Sequence, residues 1–113
     1  MSVSAAELTA KKCTACEGDT PAFTEEQTAE HLGAVPEWKL TDDGKLIRRK
    51  YKCKDFVTAM AFLQKVGALA EEEEHHPDLH LTGYKNVAIE LTTHAIGGLS
   101  ANDFIVAAKI DKL

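Results

Sequence analysis

Two adjacent histidines follow four consecutive glutamates in EEEEHHPDLHL, residues 71–81, and His80 lies a few residues further on. Imidazole and carboxylate groups at this density suit three kinds of site. They could ligate a metal ion, they could exchange protons in catalysis near neutral pH, or they could form a solvated helix end followed by a turn.

A metal site would use His75, His76 and either His80 or Glu74, which are suitable ligand types for zinc. Adjacent side chains rarely converge on one ion, however, and the HExxH spacing of zinc proteases is absent. We therefore expect no metal here.

Cys13 and Cys16 form one C-x-x-C in a polar segment. The pair could be half of a zinc site or a redox pair, but each needs a context that the sequence does not supply, so inert thiols are the favoured interpretation.

The solvated-end interpretation has a physical objection. Four acids at a helix C-terminus oppose the helix dipole, which favours cations there, and this mismatch indicates a function. His94 lies off the apolar face of its strand by parity, so it is a further candidate. Asp103 follows Ser100 by three residues, and this spacing favours a helix-capping role on local sequence alone.

Composition narrows the class of protein. The 113 residues fit one domain, with 27% charged residues and a net charge of -5. This charge argues against a primary role on nucleic acid or on an anionic membrane. No membrane-spanning run and no secretory signal are evident, so we expect a cytoplasmic protein, with a nuclear or organellar pool left open. Three cysteines imply no disulfide framework.

Hydrophobic periodicity and turn signals predict the elements. Residues 1–22 are polar and small, an N-terminal arm in which a short helix could follow Ser4, and residues 23–113 form the domain. The domain reads as a helix from Thr24 to about Gly33, a hairpin around TDDG, a helix from Asp55 to the Pro77 region, a hairpin formed by LHLTGY and NVAIELTTH, and a helix after Ser100. The predicted fold is a single-domain α+β sandwich, with a four-stranded antiparallel sheet and helices on one face.

The long helix carries an apolar stripe that is broader than one sheet face usually demands. Phe62 and Leu69 widen it. They could pack on another subunit, or the helix could simply be buried in its own core, and the sequence does not choose between the two.

The chain closely resembles the pterin-4a-carbinolamine dehydratase family in EHHPDL, Tyr84, THAIGGL and ND. The likeness runs from about Trp38 to the C-terminus. It implies active-site histidines and supporting carboxylates at these positions: His75, His76, His94, Glu71, Glu74 and Asp103. Some family members have an arginine where this chain has Asn102, which puts a substrate contact there in doubt. His80 matches no family motif and is expected at the surface.

The resemblance also implies a reaction and partners. Such enzymes dehydrate a 4a-hydroxytetrahydropterin to the quinonoid dihydropterin, which supports tetrahydrobiopterin recycling, and they need acid and base groups but no cofactor. A homodimer or homotetramer is expected. The alternative is a non-catalytic dimerisation partner of a transcription factor, with residues 55–74 as the contact surface. The complete histidine set favours the enzyme.

Overall fold

The structure, a computed structural model, describes residues 3–14, 21–41 and 43–113. In chain order the elements are α1 (Ala5–Thr9), α2 (Glu25–Leu32), β1 (Lys39–Leu40), β2 (Ile47–Lys52), α3 (Phe56–Glu73), β3 (Asp78–Thr82), β4 (Asn86–Leu91), a one-turn 3-10 helix (His94–Ile96) and α4 (Ala101–Ile110). The predicted alternation of helices and hairpins is confirmed, and α1 is the short helix that could follow Ser4.

The four strands form one antiparallel sheet in the order β1-β2-β4-β3. Alternation along β4 sends Val87, Ile89 and Leu91 into the core, where each is at most 2% exposed. The register pairs Leu79 with Ile89, so β3 presents its leucines to the same face. The α+β fold with one antiparallel sheet is therefore confirmed.

Both hairpin turns use left-handed backbone where the sequence predicts a turn. In the first, Gly44 has a φ of 70° and the amide of Thr41 donates to the carbonyl of Leu46. Asp42 of the predicted TDDG turn lies outside the described residues. In the second, Gly83 and Tyr84 both have positive φ, and Tyr84 is exposed.

Side-chain caps fix the helix starts. Thr24 and Gln27 form a capping box at α2, and Ser100 and Asp103 form another at α4. Asp55 accepts a hydrogen bond from the amide of Thr58 at α3. All three predicted starts are confirmed, because the capping signal depends only on residues close in sequence.

The apolar stripe of α3 is covered along only part of its length. Phe62 and Leu69 are half-buried against the core of the same chain, and the rest of each side chain remains open to a second subunit. The large apolar side chains of α3 that are exposed lie instead in its first turns: Phe56, Val57 and Met60.

The N-terminal segment lies against the domain. Ser4 caps α1, and Leu8 is 1% exposed within the core, where α1 contacts α4. Part of the predicted 1–22 arm is thus attached to α4, while Cys16 falls outside the described residues.

Helices that are long and apolar enough to cross a membrane are absent from the part of the chain that the structure describes.

Candidate active site

The C-terminus of α3 delivers the paired histidines. Glu74 ends the helix in the left-handed region, with φ 54°, and the amides of Glu74 and His75 both donate back to the carbonyl of Ala70. Pro77 disfavours helical backbone at the residue before it, so the chain cannot continue the helix. His75 and His76 therefore lie between the end of α3 and the start of β3.

His75 is held by a buried carboxylate. Its Nε2 lies 2.6 Å from Oδ1 of Asp103, and the two side chains are 12% and 0% exposed. A carboxylate only accepts hydrogen bonds, so the ring nitrogen Nε2 donates and the tautomer is fixed. The other ring nitrogen, Nδ1, remains the atom that can exchange a proton with a ligand.

The second oxygen of Asp103 belongs to the fold. Oδ2 accepts hydrogen bonds from the backbone amide of Ser100 and the hydroxyl of Thr93, each at 2.9 Å. Asp103 is therefore both the helix cap that local sequence favours and the partner of His75. The two interpretations of Asp103 are compatible because a carboxylate has two oxygens.

His76 makes a looser pair. Its Nε2 lies 2.9 Å from Oε1 of Glu71, and the two side chains are 61% and 79% exposed. An exposed pair of this kind stabilises the fold very little, so it orients the ring rather than holding the structure together. The side chain of Glu74, the other expected carboxylate, is exposed.

His94 lies beyond its strand. We expect it at the end of the second hairpin, but β4 ends at Leu91, and His94 begins the 3-10 helix after an isolated bridge between Thr93 and Gly98. The neighbouring Thr93 donates to Asp103, which ties the backbone at His94 to the His75 pair. The His94 ring is exposed and has no hydrogen-bond partner among residues 3–14, 21–41 and 43–113.

His80 lies on a different surface. By strand alternation it points away from the leucines of β3 that face the core, and its Nε2 contacts Oε1 of Glu90 at 2.9 Å. Glu90 also binds Arg48. The expectation of a surface residue is confirmed. An open cavity of about 750 Å³ near β1 and β2 is lined by none of the candidate histidines.

Glu73 differs from its three neighbours in the glutamate run. Glu71, Glu72 and Glu74 are exposed, but the Glu73 side chain is 1% exposed and binds Lys109 Nζ at 2.7 Å and the amide of Cys13 at 2.9 Å. The solvated-end interpretation is wrong at Glu73. Sequence reasoning missed the roles of both Glu73 and Thr93, because their contacts are with residues that no local sequence signal identifies.

Clusters of three or more His, Cys, Asp or Glu side chains able to hold a metal ion do not occur within the described ranges. Of the two cysteines in the C-x-x-C motif, only Cys13 lies within the described residues. Burial and then the nearby Glu73 raise the pKa of its thiol to about 12, which keeps it protonated.

Comparison with known proteins identifies the family. The profile for "Pterin 4 alpha carbinolamine dehydratase" matches residues 21–113. The chain belongs to the pterin-4-alpha-carbinolamine dehydratase family. The resemblance inferred from the EHHPDL and THAIGGL motifs is confirmed, and so is the enzyme class, since a dehydratase is a lyase.

Relatives of this dehydratase family match along nearly the whole chain. Pterin-4-alpha-carbinolamine dehydratase 2, mitochondrial, of Arabidopsis thaliana is 47% identical over 97% of this chain, which spans 60% of that protein. A putative pterin-4-alpha-carbinolamine dehydratase of Methylococcus capsulatus is 44% identical over 96% of this chain and 95% of its own length.

A solved structure of a transcriptional coactivator/pterin dehydratase from Brucella melitensis superposes with a TM-score of 0.75 and 33% identity, over 80% of this chain and 96% of that one. A pterin dehydratase-like RuBisCO assembly factor shares the fold, with a TM-score of 0.57 at 23% identity over 67% of this chain and 87% of its own.

The buried Glu73 predicts an acid-sensitive stability. Burial raises the pKa of this carboxyl, but the hydrogen bonds from Lys109 and Cys13 outweigh burial, so the net shift is downward from 4.5. A lowered folded-state pKa gives stability that is present above about pH 4.5 and lost as the pH falls further. Glu73→Gln should lower the free energy of unfolding at neutral pH by about 1–3 kcal/mol, and the difference from wild type should shrink in acid.

Urea unfolding at neutral pH and at about pH 3.5 measures this, with exposed Glu72→Gln as the matched control. An equal loss of stability at both pH values would show that the charge of Glu73 does not carry the effect.

Proposed function

We propose that this protein dehydrates a 4a-hydroxytetrahydropterin to the quinonoid dihydropterin and water, by histidine acid/base catalysis. The observation that carries the proposal is the 2.6 Å contact between His75 and the fully buried Asp103. It gives one ring of the family's histidine set a fixed tautomer and a fixed orientation. The family match and the relatives' names support the substrate class.

The proposed reaction moves protons and one hydroxyl group. The C4a–O bond breaks, an acid protonates the departing hydroxide, and a base removes the N5 proton while the C4a–N5 double bond forms. The electron pair of the C4a–O bond leaves with the hydroxide, and the electron pair of the N5–H bond stays on the pterin as the C4a–N5 double bond forms. No net oxidation or reduction occurs, so the chemistry calls for no redox group. Positioned acid and base groups typically contribute about 10² to 10⁴ in rate.

Three imidazoles in different surroundings can divide this work. We assign two of His75, His76 and His94 as acid and base, and the third as a pterin contact. His75 can act through Nδ1, because its Nε2 is committed to Asp103. His76 is oriented by Glu71, and His94 is free to turn toward a ligand. Glu74 is a supporting carboxylate by family resemblance.

The physiological setting follows from the substrate. The product would re-enter tetrahydrobiopterin recycling, and we propose a cytoplasmic location, although the mitochondrial relative keeps an organellar pool in consideration. Service as a dimerisation partner of a transcription factor has weaker support. The Brucella melitensis relative is named a transcriptional coactivator/pterin dehydratase, but a coactivator role requires no ordered histidine pair.

A dehydration assay tests the function. Purified protein should accelerate the decay of freshly formed 4a-hydroxytetrahydropterin, followed by absorbance, and decay at the uncatalysed rate would contradict the proposal. Alanine at His75, His76 or His94 should each lower kcat/KM by about 10²-fold or more, since each removes an acid/base or positioning group.

His80→Ala is the matched control and should change kcat/KM by less than about twofold, because it lies on the opposite face of the sheet. Replacing both members of the acid/base pair should lower kcat/KM only slightly more than the more damaging single replacement, since the effects of groups acting in concert are non-additive. Full activity in His94→Ala with loss in His80→Ala would move the site to the open sheet face.

We also propose a homodimer or homotetramer. Its support is the apolar cluster that α3 leaves exposed, with Phe56 51%, Val57 76% and Met60 41% exposed. Sedimentation at micromolar concentration should show an oligomer. Val57→Glu should shift it toward monomer, while Thr58→Glu, an exposed position in the same turn, serves as the control. A wild-type monomer would contradict this assignment.

A further inference from the structure

Residues 4–14, here called the N-terminal strap, run along α4 and reach the ends of both helices that carry the His75–Asp103 pair. Leu8 anchors the strap in the core. Near its end, the amide of Cys13 donates to Oε1 of Glu73 at 2.9 Å. The next residue, Thr14, contacts Asn102.

Asn102 binds the strap through both the oxygen and the nitrogen of its side-chain amide. Its Oδ1 accepts from the amide of Thr14 at 3.1 Å, and its Nδ2 donates to the carbonyl of Thr14 at 2.6 Å. The thiol of Cys13, kept protonated by its raised pKa, donates to the backbone carbonyl of Asn102 at 3.6 Å. Asn102 is 5% exposed, so these bonds are made in a buried setting.

The positions of Glu73 and Asn102 connect the strap to the candidate site. Glu73 precedes His75 by two residues at the end of α3, and Asn102 precedes Asp103 by one residue at the start of α4. The strap therefore bridges the two backbone segments that set the His75–Asp103 distance. Lys109 occupies the other oxygen of Glu73, so the carboxylate is fixed from both sides.

We propose that Asn102 and Glu73 are positioning residues, which clamp the N-terminal strap across the ends of α3 and α4 and so hold His75 on Asp103 for the proposed dehydration. The inference rests on that proposed function for its kinetic consequence only. It also gives Asn102 a role of its own. An arginine there has donors only and could not accept the Thr14 amide, so this position serves the strap in this chain.

Thr14→Pro tests the clamp in the full-length protein from the strap side. Proline removes the amide that donates to Asn102 and leaves α3 and α4 unchanged. Lys12→Pro, at a neighbouring exposed position of the strap, is the matched control. Asn102→Asp is the second variant, since it keeps an acceptor for the Thr14 amide but sets an oxygen against the Thr14 carbonyl.

Two signals are measured by NMR on labelled protein: hydrogen exchange of the Cys13 amide and the proton on Nε2 of His75. In both Thr14→Pro and Asn102→Asp, exchange of the Cys13 amide should rise by about tenfold, as expected for loss of one hydrogen bond, and the Nε2 proton signal should broaden or vanish. The kcat should fall about 3- to 10-fold with KM nearly constant, because the bound pterin keeps its contacts while the ring loses its fixed position. Lys12→Pro should leave all three unchanged.

Faster exchange at Cys13 with an unchanged His75 signal and unchanged kcat would overturn the proposal, because the strap would then be released without effect on the pair. Unchanged exchange at Cys13 would overturn it too. If wild-type protein shows no dehydratase activity while the His75 signal responds as expected, the clamp stands and the proposed function fails.

Discussion

The carboxylate of Asp103 is completely buried, and it is satisfied by donors from three separate parts of the chain. His75 lies just after α3, Thr93 lies just after β4, and the Ser100 amide lies at the N-cap of α4. A buried carboxylate without such donors would cost several kcal/mol, so these three segments must meet if the chain is to fold. The positive end of the α4 dipole favours the same charge. The geometry of the candidate site is thus a by-product of satisfying one buried charge.

Local signals predicted most of the fold. Capping boxes at Thr24 and Ser100, and alternation through Val87, Ile89 and Leu91, depend on neighbours a few residues away, and all are present in the structure. Contacts between distant residues escaped prediction. Glu73 is buried because its partners, Lys109 and the Cys13 amide, lie 36 and 60 residues away. His94 lies outside the predicted strand because Thr93 pairs with Gly98 and donates a hydrogen bond to Asp103. Hydrophobic periodicity encodes neither contact.

The three histidines of the site differ in surroundings although two of them are adjacent in sequence. His75 is largely buried and contacts the buried carboxylate of Asp103, whereas His76 is exposed and contacts the exposed carboxylate of Glu71. The His94 ring is exposed to solvent. Enzymes that need an acid and a base together separate identical groups by their environments. The left-handed end of α3 at Glu74 produces this separation, because it turns one ring into the protein and leaves the next in solvent. Sequence resemblance gave the residue identities, whereas this difference required the structure.

We propose that His75, His76 and His94 together receive one pterin. The most direct measurement is an NMR titration of the full-length protein, labelled at its five histidine rings, with 7,8-dihydropterin, which lacks the 4a-hydroxyl and does not turn over. Saturable changes are expected in the ring signals of His75, His76 and His94, at one pterin per chain, with His31 and His80 unchanged. Saturable changes at His80 that leave His75 and His94 unaffected would contradict the proposed site.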